Sequence, residues 1–224
     1  MLEVCDFMLI RLKSLCFISI ITLLLSGCSQ QDDQLAARNI IKIRETISQE
    51  TGLINIKKVG VTHSGKYGNY ELIKTRSYNQ VYNINPIEAA IKNIKIIKLS
   101  DISSNASRFL KPYGYNQLQD EIYFLSIDFQ FENKADRDIN FYGIDTIVLN
   151  NKKQLNVRCS DIYYEDTAAQ GNIFYGKTKL EDRIVLILNV NPSEINSVKF
   201  IFDRTRDAHT FEVITQGQQG TLNF

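Results

Sequence analysis

Tyr123, Leu125, Ile127, Phe129 and Phe131 alternate without interruption with Phe124, Ser126, Asp128 and Gln130. A period of two sends the first set to one face and the second, more polar set to the other. That is the pattern of a half-buried antiparallel strand, and no helix satisfies it. The same grammar recurs along the chain. Apolar runs bounded by Asn, Asp, Gly, Pro and Ser predict strands over 53–62, 70–77, 79–84, 89–99, 139–149, 155–159, 183–190, 197–203 and 211–214. Within 89–99 the reading places Ile91, Lys95 and Ile97 on one face. Turns are expected over 63–69 and 133–138, at Asn150-Asn151-Lys152-Lys153 and at Asn191-Pro192-Ser193, with a long loop over 101–120.

Short strands at this spacing point to a sandwich or barrel, because a parallel sheet needs crossover helices between its strands. With 44% hydrophobic residues the chain can bury a real core, which excludes wholesale disorder.

The N-terminus has a different character. Arg11 and Lys13 precede the apolar run 15–25, and Leu25-Ser26-Gly27-Cys28 closes it. A basic segment, a short apolar segment and small residues make a cleavable leader, and a membrane span needs roughly 20 apolar residues. We read the closing tetrapeptide as a lipobox: cleavage leaves Cys28 as the new N-terminus, carrying a diacylglyceryl lipid. Two acyl chains hold a domain on a bilayer where one chain binds only marginally. Glu3 and Asp6 sit poorly in a basic leader, so translation is expected to begin at Met8.

Cys5 and Cys16 lie in that leader, so Cys159 alone remains beside the lipid site. No internal disulfide is then possible, and packing must hold the fold. Cys159 itself is expected to be buried in a strand. Removing residues 1–27 takes Arg11 and Lys13 together with Glu3 and Asp6, leaving 24 basic and 23 acidic residues. Near-neutrality argues against nucleic acid as a partner, since that binding needs a basic stripe. After a polar tether at 29–34, Ala36, Ile40, Ile43 and Ile47 recur at i, i+4, i+7 and i+11, which predicts an amphipathic helical arm ending near Gly52. The expected organisation is a leader at 1–27, a lipidated tether and arm at 28–52, a β-sandwich at 53–214 and a polar tail at 215–224.

Phe129-Gln130-Phe131-Glu132-Asn133-Lys134 followed by Asp138-Ile139-Asn140-Phe141, then the strands 184–188 and 198–202, carry a resemblance. Over roughly Pro86 to Ile214 the chain resembles the immunoglobulin-like lipoprotein domains of unknown function on Gram-positive bacterial surfaces. The resemblance implies an antiparallel immunoglobulin-like β-sandwich at a cell surface, and it brings no catalytic residues with it. The composition, rich in Ile, Asn and Lys, agrees with an AT-rich genome and a Gram-positive envelope.

His63 and His209 each stand alone, outside any metal-ligand spacing, and no phosphate loop or nucleophile elbow occurs. The acid pairs Asp120-Glu121, Glu165-Asp166 and Glu181-Asp182 are adjacent in sequence, so on strands or turns they point apart instead of facing each other as a glycosidase requires. No catalytic residue, metal or cofactor is therefore assigned, apart from the lipid on Cys28. Tyr163, Tyr164, Glu165, Phe174 and Tyr175 gather aromatics beside an acid, a composition that concentrates binding energy at interfaces. The expectation is a lipid-anchored, non-catalytic domain on the outer face of the cell membrane that binds a protein or an envelope glycan. The alternatives are an envelope-modifying hydrolase and a small-molecule binder.

Overall fold

A computed structural model describes residues 56–104, 106, 110–111, 120–157 and 173–224, which fall in the unit Thr46–Phe224. Thirteen strands follow in order among them: β1 (Thr62–Gly65), β2 (Gly68–Ile84), β3 (Ile87–Ser100), β4 (Glu121–Asn133), β5 (Ile139–Asn140), β6 (Ile144–Leu149), β7 (Gln154–Asn156), β8 (Ile173–Phe174), β9 (Lys179–Leu188), β10 (Ser197–Phe202), β11 (Thr205–Asp207), β12 (Val213–Thr215) and β13 (Gln219–Asn223). They form a five-stranded sheet, β1-β2-β3-β4-β9, and two four-stranded sheets, β13-β10-β6-β7 and β12-β11-β5-β8. Every ladder between these strands is antiparallel. The protein is mainly β, as the period-two pattern requires.

One apolar cluster joins the inner face of the five-stranded sheet to the second sheet. Ile94, Ile96, Leu125, Ile127, Ile184 and Leu186 meet Ile147, Leu149, Val198 and Phe200 there. The alternation in β4 translates directly into this packing, since Leu125, Ile127, Phe129 and Phe131 all point inward. Full burial of each such side chain stabilises by about 1.5–3 kcal/mol. The outer face of the same sheet carries a second cluster, where Tyr70, Leu72, Ile97, Leu99, Ile122, Phe124 and Val185 pack with Ile56, Ala106 and Leu110. The face of β4 expected to be polar is thus apolar at one end.

A bulge decides which β3 side chains reach which cluster. Ile91 pairs with Phe129 and Asn93 with Asp128, so Lys92 is an extra residue and the side-chain phase inverts across it. Ile87, Ala89 and Ile91 point inward before the bulge, and Ile94 and Ile96 do so after it. Lys95 and Ile97 consequently face outward, away from Ile91, which corrects the grouping read from the sequence. A register shift between Ser77 and Gln80 likewise lies where the sequence suggested two strands; β2 runs through it as one.

Three further expectations are revised. β1 takes in Thr62 and runs into the turn-rich stretch 63–69, which also holds the tight connection into β2, and among the described residues of the expected strand 53–62 Val59 makes an isolated bridge to Leu72. The expected strand 139–149 is two strands in different sheets. Gly143 makes the break, with φ of +78° and its Cα so close to Phe131 that a Cβ would lie 2.9 Å from the ring. The expected polar tail contains β13. Its backbone pairs along β10, its Leu222 is buried, and the Tyr78 hydroxyl donates to the Asn223 carbonyl at 2.7 Å. Sheet hydrogen bonds need no apolar side chains, which is why the composition of this segment concealed it. The leader, Cys28, the expected arm and Cys159 lie outside the described residues.

Candidate functional site

The small sheet β12-β11-β5-β8 is where apolar side chains remain in solvent. Its register sets Ile173, Asn140, Arg206 and Val213 directly opposite one another across four strands, so the four share a face. Phe174 and Ile139 form the next row and point the other way, into the main core. On the outer row Ile173 is 41% exposed and Val213 43%. Beside Asn140 and Arg206, the side chains of Tyr142, Asp203, Arg204 and Phe211 complete an open hollow of about 480 Å³.

Local structure holds these groups in place. Asp203 lies between two guanidinium groups, 3.9 Å from Arg204 and 3.5 Å from Arg206. Its backbone N–H donates to the Gly143 carbonyl at 2.9 Å, which ties the hollow to the β5–β6 break. Phe211 is 63% exposed and has φ of +60°. A bulky residue in the left-handed region is a strained outlier of the kind concentrated at binding sites. The turn that imposes this conformation is built by Asp207, whose Oδ1 accepts from the backbone N–H groups of His209 and Thr210, both at 3.0 Å. Those two bonds, Thr210 first, hold the Asp207 carboxyl below its usual pKa.

Tyr175 follows β8 and is 64% exposed. Its backbone is anchored by the fully buried Asn133, whose Nδ2 donates to the carbonyls of Arg137, Phe174 and Tyr175 at 2.8, 3.0 and 3.1 Å. Gly176 closes this corner against Asp136, where a Cβ would lie 2.2 Å from the carbonyl oxygen. The residues picked out from sequence therefore divide. Phe174 is a core residue, packed edge-on against Phe131 with ring centres 6.1 Å apart, while Tyr175 is presented to solvent. Tyr163, Tyr164 and Glu165 lie outside the described residues. Sequence reasoning missed Tyr142, Arg204, Arg206 and Phe211. The one signal available was Arg204-Thr205-Arg206 after Asp203: two cations two residues apart project to the same side of an extended chain.

Chemically, the surface can stack and hydrogen-bond. Arginine offers five N–H donors in a planar fork, and aromatic rings add large contact areas at low entropic cost. Glu165-Asp166 lies outside the described residues, and members of the other two acid pairs are engaged in surface contacts elsewhere. Glu121 accepts from the Tyr123 hydroxyl at 2.7 Å, Glu181 pairs with Lys179 at 2.7 Å, and Asp182 accepts from the Arg183 backbone N–H at 2.8 Å. Among the described residues no three His, Cys, Asp or Glu side chains converge as a metal-binding group.

No protein-family model and no curated protein matches the chain. Two solved structures are similar in part. A functionally unknown protein from Listeria monocytogenes EGD-e shares 11% identity and a TM-score of 0.46, over 70% of this chain and 88% of its own. A conserved hypothetical protein from Bacillus anthracis shares 10% identity and a TM-score of 0.35, over 63% of this chain and 96% of its own.

Proposed function

We propose that the protein is a lipid-anchored, non-catalytic binding module that contacts a protein or envelope partner through the outer face of its small sheet. The observation that carries this reading is the grouping of Tyr142, Phe211, Ile173 and Val213, all exposed, around Arg204 and Arg206. Aromatic residues and arginine are the types enriched at interface centres. A rigid sheet with short connections is also the scaffold on which binding surfaces are usually displayed. The lipid on Cys28 and an extracytoplasmic position rest on the leader sequence. Architecturally we regard the domain as a β-sandwich of immunoglobulin-like kind, meaning antiparallel sheets packed over one core. The consecutive order β1-β2-β3-β4 is a meander where immunoglobulin domains use a Greek key, so the likeness is one of layers and not of connectivity.

Site-specific photo-crosslinking in intact cells tests the surface. A crosslinking residue at Phe211 should give a discrete adduct, and one at Val81, exposed on the five-stranded sheet, should not. Equal labelling at both positions, or none at Phe211, would overturn the assignment. Cys28→Ala should release the protein from the membrane fraction, and retention of that variant would remove the anchor from the proposal.

A further inference from the structure

The outer face of the five-stranded sheet holds a second group of polar side chains, remote in chemistry from the aromatic surface. The β3–β4 register sets Lys95 directly opposite Ser126, and the β4–β9 register sets Asp128 opposite Arg183. All four point outward, beside the cluster of Ile97, Phe124 and Val185. Directly opposed strand residues have Cβ atoms about 4.5–5.5 Å apart.

Donors and acceptors are out of balance here. Ser126 is 1% exposed, and its hydroxyl has no hydrogen-bond partner among the described residues. Lys95 is 7% exposed, yet its ammonium has one partner among the described residues, Asp128, at 3.7 Å. That separation is an ion pair beyond hydrogen-bonding distance. The same carboxylate is already engaged by Arg183 through Nε. One acidic group thus serves two cations, and a buried hydroxyl beside them has no acceptor among the described residues. Buried charges and hydroxyls without acceptors are costly, so native structures normally supply one.

We propose that Lys95, Ser126 and Arg183 form a binding site for a small oxyanion, a carboxylate or a phosphate. Lys95 supplies a desolvated charge, Ser126 a hydroxyl donor, and Arg183 the guanidinium N–H groups that Asp128 does not use. The side chains of Asp128 and Arg183 are 25% and 21% exposed against 9% for Lys95, so the ligand enters from the Arg183 side. Asp128 orients both cations and restricts the site to ligands that present their oxygens away from it.

Titration calorimetry of the full chain with inorganic phosphate and, separately, with acetate tests the site, with chloride as the control. Binding of phosphate alone identifies a phosphate ligand, binding of acetate alone a carboxylate, and both belong to the same site if they compete. Ser126→Ala should weaken binding about tenfold, the loss expected for one hydrogen bond to a charged group, and Lys95→Met should weaken it further. Ser126→Ala keeps the test sound if Lys95→Met fails to fold, since it substitutes a small residue for a small one. Absence of binding by either anion, or affinity unchanged in Ser126→Ala, would overturn the proposal and leave the two groups as a water-bridged structural pair.

Discussion

The five-stranded sheet and the small sheet are built from the same strand grammar and differ in what covers them. The larger sheet has apolar packing on both faces, with Ile94 and Leu125 on one side and Ile97 and Phe124 on the other. The small sheet sends Ile139 and Phe174 into the core and leaves Ile173 and Val213 in water. Stability should therefore reside in the first region and recognition in the second. The difference can be broken from either side.

The largest expected effect belongs to the shared core. Phe200 is fully buried between the two larger sheets, and Phe200→Ala should cost about 3–5 kcal/mol in denaturant unfolding. A loss below about 1 kcal/mol would mean that the sheets do not share one packed interior. Next comes Asn133, the tie between β4 and the Tyr175 corner. Asn133→Ala removes the side-chain donor to the carbonyls of Arg137 and Phe174 and the acceptor of the Ala135 N–H, and it leaves the Tyr175 carbonyl to Thr178. The cost should be on the order of 2–3 kcal/mol, as for other buried groups left unsatisfied. If hydrogen exchange shows that loosening spread evenly over the protein instead of centred on residues 173–178, the small sheet is not a separately anchored region.

These two residues also show what the sequence could disclose. β4 was legible because its alternation runs through without a bulge, so local pattern and final packing agree. β3 has as many apolar residues but carries the Lys92 bulge, which depends on how β4 pairs and leaves no local mark. β13 was illegible for another reason: its stabilisation is backbone pairing with β10, which composition does not report. The site divides in the same way. Tyr175 stood out as part of an aromatic run. Asn140, Arg206 and Phe211 become neighbours only when β5 pairs with β11, strands far apart in the chain. Composition groups Phe174 with Tyr175, but the period of two sends Phe174 inward.

Phe211 offers a sharper division between the two regions. Asn tolerates a positive φ, so Phe211→Asn relieves backbone strain while removing little buried surface. The variant should be more stable by roughly 0.5–1 kcal/mol, within the range for relief of a left-handed conformation. In the same variant the crosslink-defined partner should be lost from pull-downs. A gain in stability with binding retained would place recognition elsewhere on the small sheet. A loss of stability would show that Phe211 packs as a structural residue.

The smallest effect is a pH dependence confined to the small sheet. Asp207 has a folded pKa held below its ordinary value of 3.8, chiefly by the Thr210 and His209 amides. Its contribution is thus present above about pH 4 and disappears as the pH falls through the folded value, because the unfolded chain takes up the proton first. Amide protection at His209 and Thr210 should hold above about pH 4 and fall below it, as the pH drops from the ordinary pKa toward the lowered folded one, while protection in β4 stays level. Asp207→Asn keeps an acceptor oxygen and removes the titration, so its protection at the two amides should be independent of pH over the same interval. If the amides of β4 and of the turn lose protection together, acid is unfolding the whole domain, and the small sheet has no stability of its own to lose.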